Sequence, residues 1–150
     1  MKSMEMSPVF VVATVNDVSQ LPPEMLRKGR FDELWFVDLP NQNEREAIWG
    51  IQIAKYHRNP KDYDNAQVAR ATEGLEGSEI ESGFTDASYL AFDGNREPAD
   101  FDVARILTEF VPLSKLMAEQ ITGLRNCAKG RARLATSARQ EEVRLRGIAA

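Results

Sequence analysis

The stretch PVFVVATV, residues 8–15, limits most strongly what this chain can fold into. It is continuously apolar and rich in valine. It does not alternate, so it reads as a strand buried on both faces, as inside a parallel sheet. Such a strand needs neighbours, because backbone N–H and C=O groups must be paired once water is excluded. One further strand stands out: ELWFVDL, residues 33–39, ended by Pro40. Between them LPPEMLRKG supplies a short helix, with prolines in its first turn and Gly29 as its stop. Strand, short helix, strand is a βαβ unit with a short crossover. Two strands do not make a stable sheet. The piece therefore reads as an α/β remnant, the last two strands of a parallel sheet whose front end lies elsewhere.

After Pro40 the pattern turns to helices only, so the chain is expected to be mostly helical overall. Asn41 with Glu44 three residues on resembles a capping box, and Ala47, Ile48, Ile51 and Ala54 are expected on one face. Asp64 or Asn65 is expected to cap a second helix through Ala66, Val68, Ala69 and Thr72, ended by Gly74. Ser78 with Glu81 reads as another cap pair, with Ile80, Phe84, Ala87 and Ala91 lining the buried face. Asp100 is expected to cap a helix through Phe101, Ala104 and Leu107. Ser114 is expected to cap the last, with Met117, Ile121, Leu124 and Ala128 on one stripe. Trp35, Phe36, Phe84 and Phe92 are read as packing residues. The expected division is 1–40 for the sheet remnant, 41–128 for a helical bundle, and 129–150 for a flexible basic tail.

The 150 residues have an ordinary globular composition, 43% apolar and 28% charged. No apolar run approaches the ~20 residues of a membrane span. The opening MKSMEMSP is too short and polar for a signal peptide. Cys127 is the only cysteine, which fits a cytoplasmic setting, and reads as a small apolar group rather than a nucleophile. His57 is the only histidine, so a zinc site is not expected. Charge is asymmetric. Residues 1–128 hold 13 basic and 21 acidic side chains, a net of -8; residues 129–150 hold 6 and 2, a net of +4. The tail carries no aromatic residue, so it offers no stacking platform for single-stranded nucleic acid.

In open α/β sheets ligands sit beyond the carboxyl ends of the strands. Asn16 lies just past the first strand. Its carboxamide can donate to a phosphate oxygen while accepting from a water, which suits phosphoryl transfer, where catalysis is mostly positioning. It can equally make a turn with Asp17. Arg27 and Arg30 can both project from the end of one helical turn, and arginine forks onto phosphate oxygens. Surface ion pairs with Glu24 or Asp32 are the plainer alternative.

The joint order of these parts is specific. VFVVATVNDVSQLPPEMLRKGRFDELWFVDLPN closely resembles the second region of homology of AAA ATPases, over 33 contiguous residues. The resemblance implies a P-loop-type parallel sheet followed by a helical lid. It gives Asn16 the sensor-1 place, and makes Arg27 and Arg30 the first and second arginine fingers, in an R-x-G-R-F-D setting. Fingers of this kind serve the nucleotide of an adjacent subunit, so a ring, usually a hexamer, is implied, with ATP and Mg2+ as the ligands. EGLEGSEIES (residues 73–82) is similar to the start of the third lid helix, where the glycine backbone packs near adenine; Gly77 and Ser78 match it. Gln52 falls where many members place a histidine near adenine and ribose. Glu79 and Glu81 stand where wider relatives have a cationic sensor 2, which points to the narrower AAA group. Asp17 and Val18 replace a usual Arg-Pro, and Lys28 replaces a usual proline. PLSKLMAEQITGLRNCAKGRA together with LPPEMLRKGRFDE is similar to the plastid- and cyanobacterium-type branch.

No G-x-x-x-x-G-K-[ST] phosphate loop occurs in the 150 residues, and no apolar strand ends in paired acids. The chain is thus expected to be a C-terminal portion of an AAA ATPase that cannot hydrolyse ATP by itself. The competing reading is a non-catalytic helical module whose basic tail engages nucleic acid or an acidic protein; nucleic acid is the less favoured partner, and no membrane partner is expected.

Overall fold

The computed structural model describes residues 9–18, 21–27 and 29–136. The chain divides into two compact units between Glu33 and Leu34.

In the first unit residues 9–15 are extended but join no ladder. Their apolar side chains face solvent, with Phe10 91% exposed. The expected doubly buried strand is thus corrected to an unpaired one. The cause is arithmetic rather than propensity, because an interior strand requires neighbours on both edges and the described residues form no ladder beside it. A 3-10 turn follows at Pro23–Leu26, with proline at its start as expected.

The second unit is a helical bundle with a small parallel ladder. Strand β1 is Trp35–Phe36, followed by helices α1 Gln42–Lys55, α2 Asn65–Ala71, α3 Gly77–Asp93, α4 Asp100–Glu109, α5 Leu113–Leu116 and α6 Ala118–Ala128, then β2 Arg133–Leu134. The architecture is an α/β remnant plus an all-α bundle. The strand beside β1 is β2, in register Trp35 with Arg133 and Phe36 with Leu134, not the valine run. Trp35 therefore lies on an exposed face with the Arg133 guanidinium 5.8 Å from its ring centre, rather than in the core. Part of the supposed tail is thereby ordered, while residues 137–150 lie outside the described residues.

Trp49, Ile53, Val68, Ala69, Leu75, Ile80, Phe84, Ala87 and Val103 form the core. Phe84 is its centre, with the rings of Trp49, Tyr56 and Tyr63 at 6.5, 5.6 and 6.0 Å. The α3 stripe is as expected: Ile80, Phe84, Ala87 and Ala91 are all fully buried. Phe92, on the other face, is exposed instead of packed. Helix α1 is rotated from expectation. Arg45, Trp49 and Ile53 point inward, and Ile51 is 64% exposed. Arg45 tolerates burial because its Nε donates to Ala69 O at 2.9 Å and its Nη1 to Pro40 O at 2.8 Å. Trp49 Nε1 likewise donates to Thr72 Oγ1 at 3.2 Å.

The caps are partly as expected. Asn41 Oδ1 accepts from Glu44 N at 3.0 Å while Asn41 N donates to Glu44 Oε2 at 2.9 Å. Asp64 Oδ1 accepts from Gln67 N at 2.9 Å. Helix α3 starts earlier than the Ser78–Glu81 pair predicts: Glu76 is its cap, and Glu76 N donates to Glu79 Oε2 at 2.9 Å. Ser114 lies inside α5, which Pro112 precedes.

Helix α4 begins after Ala99, and Asp102 rather than Asp100 does the capping, accepting from Ala99 N at 2.9 Å. Asp102 and Val103 face inward where Phe101 and Ala104 were expected. Asp102 is buried because both its oxygens take hydrogen bonds from Arg96, each 2.5 Å long. The Arg96 hydrogen bonds hold the Asp102 carboxyl below the usual range, burial opposes them, and the Ala99 amide assists. A carboxylate whose folded pKa is depressed adds stability above its unfolded pKa and loses it as pH falls through the folded value. The expected result is that Asp102→Asn lowers the melting temperature at pH 7, and that the gap from wild type closes as pH falls below 4. Circular-dichroism melts at pH 7 and pH 3 would check this; an undiminished gap at pH 3 would contradict it.

Candidate functional site

Asn16, Arg27 and Arg30 belong to the first unit; Gln52, Gly77 and Ser78 belong to the second.

Asn16 is exposed at a bend directly after the extended run, and Leu21 N donates to Val18 O at 3.1 Å just beyond it. The segment from Pro22 to Arg30 is built by three successive short-range bonds. Met25 N donates to Pro22 O at 2.9 Å, Arg27 N to Glu24 O at 3.4 Å, and Arg30 N to Arg27 O at 3.3 Å. The last bond closes a four-residue turn with Arg27 and Arg30 at its two ends, so their Cα atoms are held within about 7 Å. Gly29 occupies the third position at φ +89, the left-handed region that glycine enters without steric cost. A Cβ there would meet nothing within 4 Å, so backbone conformation alone calls for glycine. Both arginines are exposed, and among the described residues neither pairs with Glu24 or Asp32. Two adjacent guanidinium groups free of those carboxylates can fork onto an anion supplied from outside.

The second unit holds a cleft of about 720 Å³. Its walls are Phe36 to Pro40, the start of α1 with Ala47 and Ile48, the start of α3 with Gly77, the apolar side of α5 and α6, and Ala135 with Thr136. Met117, Ile121 and Leu124 form the stripe expected on the last helix, and they face this space. Gly74 brings α5 close. It sits at φ +83, and a Cβ on it would lie 2.6 Å from Ser114 Oγ. Glu79 ties the two helix starts together, since its Oε1 accepts from Leu113 N at 2.7 Å.

Gly77 is the first residue of α3, and a Cβ there would enter open space. Ser78 hydrogen-bonds through its hydroxyl to Glu76. Gln52 sits one turn beyond Ile48 on α1; its Oε1 is buried and has no hydrogen-bond partner among the described residues. Of these three residues only Gly77 lines the cleft; Gln52 and Ser78 do not. The cleft wall carries Asp38, Glu44, Glu76 and Glu79 and no lysine or arginine. Apolar faces between carboxylates suit a flat heterocycle and not a phosphate chain.

The lining by residues 113–124 and 135–136 was not anticipated. An amphipathic stripe identifies a face, but not what lies opposite. His57, the lone histidine, ends α1 at φ 60, with Arg58 N donating to Ile53 O at 3.1 Å, a helix-terminating role. The described part of the basic tail is engaged internally: Arg131 Nη1 lies 3.6 Å from Cys127 Sγ, and Arg133 covers Trp35. Cys127 is half-buried. Among the described residues no group of His, Cys, Asp and Glu could hold a metal ion, and no helix is long and apolar enough to cross a membrane.

No family model matches the chain. Curated proteins do. It is 42% identical over 139 residues to the uncharacterized AAA domain-containing protein ycf46 of Trieres chinensis, across 91% of this chain and 28% of that protein. It is 42% identical over 136 residues to the protein of the same name from Pyropia yezoensis, across 89% of this chain and 28% of that one. It is 38% identical over 90 residues to the proteasome-activating nucleotidase of Sulfurisphaera tokodaii, across 59% of this chain and 22% of that protein. The chain thus spans little more than a quarter of the ycf46 proteins it matches, and by this kinship it belongs to the AAA ATPase family.

Proposed function

We propose that this chain supplies the sensor, finger and lid parts of a ring-forming AAA ATPase, a hexamer by the family resemblance, in the cytoplasm. Arg27 and Arg30 act as fingers on the triphosphate of an adjacent subunit. Asn16 acts as the sensor that orients the attacking water. Gln52, Gly77 and Ser78 lie on the base side of the nucleotide. ATP and its Mg2+ are held chiefly by polypeptide that carries a phosphate loop, which these 150 residues lack.

The observation that carries this reading is the glycine-turned Arg27–Arg30 pair, exposed directly after an apolar run that ends in Asn16. Charge stabilisation in phosphoryl transfer needs guanidinium groups that are positioned yet reachable. The uncovered residues 9–15 support the same reading, because such an apolar edge calls for further strands.

The test is phosphate release. The 150-residue chain mixed with ATP and Mg2+ is expected to release none above background. Joined to a polypeptide with a phosphate loop, it is expected to support turnover that Asn16→Ala abolishes. Turnover by the chain alone at the rate of a complete AAA ATPase would refute this assignment.

A further inference from the structure

We propose that residues 125–136 form a releasable brace that sets the angle between β1 and α1, and with it the width of the cleft. Residues 37–41 join the strand to the helix with no regular structure of their own. A connection of this kind leaves the helix free to swing unless something else spans the joint.

The C-terminal segment grips it at successive points. Arg125, on α6, forks onto Asp38, with Nε 2.9 Å from Oδ2 and Nη2 2.9 Å from Oδ1. Arg133 N donates to Leu34 O and Ala135 N to Phe36 O, both at 2.9 Å. Thr136 Oγ1 then accepts from Asn41 Nδ2 at 3.0 Å and donates to Glu44 Oε1 at 2.8 Å. The threonine hydroxyl thus enters the α1 capping box as a third member. Asn41 donates to it and it donates onward to Glu44, a chain in which each bond polarises the next. Strand, linker and helix start are all held by one short segment.

Two features make the brace releasable. The ladder is only two residues long on each strand, and such a pairing is marginal in water. The Arg125–Asp38 pair is half exposed on the arginine side, where solvent weakens it. Ala135 and Thr136 also line the cleft, so release removes part of its wall. The brace stands apart from the ATPase reading, because its contacts are all internal to the bundle unit.

Amide hydrogen exchange on the 150-residue chain tests it, with Thr136→Val, Arg125→Gln, the double variant and Thr136→Asp. Valine keeps the shape and removes both hydroxyl bonds, while aspartate places a second negative charge beside Glu44. The double variant is expected to speed exchange at Asn41, Glu44, Arg133 and Ala135 by roughly tenfold. Thr136→Asp is expected to do at least as much. The core amides of Ile80 and Phe84 are expected to keep their wild-type rates. Unchanged rates at Asn41 and Ala135 in the double variant would overturn the brace. So would equal acceleration at Ile80 and Phe84, which would mean general destabilisation.

Discussion

Arg27→Ala is expected to lower ATP turnover by about 10³- to 10⁵-fold in an assembly that joins this chain to a phosphate loop. The effect is large because a finger acts mainly in the transition state, where charge builds on the phosphoryl oxygens and few other cations reach them. Arg27 is suited to this by exposure and by its turn. Its carbonyl holds Arg30 N at 3.3 Å, and Gly29 reverses the chain between the two arginines. Arg27→Lys is expected to recover little, since a point charge cannot fork onto two oxygens. Nucleotide affinity is expected to stay within severalfold of wild type, which separates a catalytic loss from unfolding. The measurement is steady-state phosphate release alongside nucleotide binding. A turnover loss below tenfold, with binding intact, would remove Arg27 from the finger role.

Phe84→Ala is expected to destabilise the bundle by about 3–5 kcal/mol. Phe84 is fully buried and touches three other rings, so the cavity cannot close by moving a single neighbour. A small domain has only about 5–15 kcal/mol in total, so the variant is expected to be near its unfolding limit at 37 °C. Phe92→Ala, eight residues along the same helix and 81% exposed, is expected to change stability by about 0.5 kcal/mol or less. Urea unfolding followed by helical circular dichroism compares the two. Equal losses would show that the stripe on α3 does not carry the core.

Much of the bundle was legible from local pattern. Ile80, Phe84, Ala87 and Ala91 recur at helical spacing and all are buried. The Asn41–Glu44 box and the Asp64 cap form as read, because a cap involves only residues three apart. The arginines, read at the end of one helical turn, instead bracket a separate turn, because the 3-10 piece ends at Leu26 and Arg27 is extended. The faces of α1 and α4 were not legible. Ranking by hydrophobicity selects Ile51 and Phe101, yet Arg45 and Asp102 are the residues that turn inward. Each is accepted only because it is hydrogen-bonded inside, Arg45 to Ala69 O from the next helix and to Pro40 O five residues back, Asp102 to Arg96 six residues back in the loop before α4.

The sheet shows the same division. The valine run announces a strand, and the amino acids decide that much through β-branching and the absence of polar positions. Pairing is a property of two segments. Among the described residues, 9–15 join no ladder, while Trp35–Phe36 finds Arg133–Leu134 across nearly a hundred residues of chain. The residue order alone thus determined the helices, the caps at Asn41 and Asp64, and the family. The tertiary structure decided which face of each helix is buried, where the cleft opens, and what closes over the β1–α1 joint. The physical reason is range. Backbone conformation and capping are settled within a few residues, whereas burial of a charge or pairing of an edge depends on groups that only the folded chain brings within hydrogen-bonding distance.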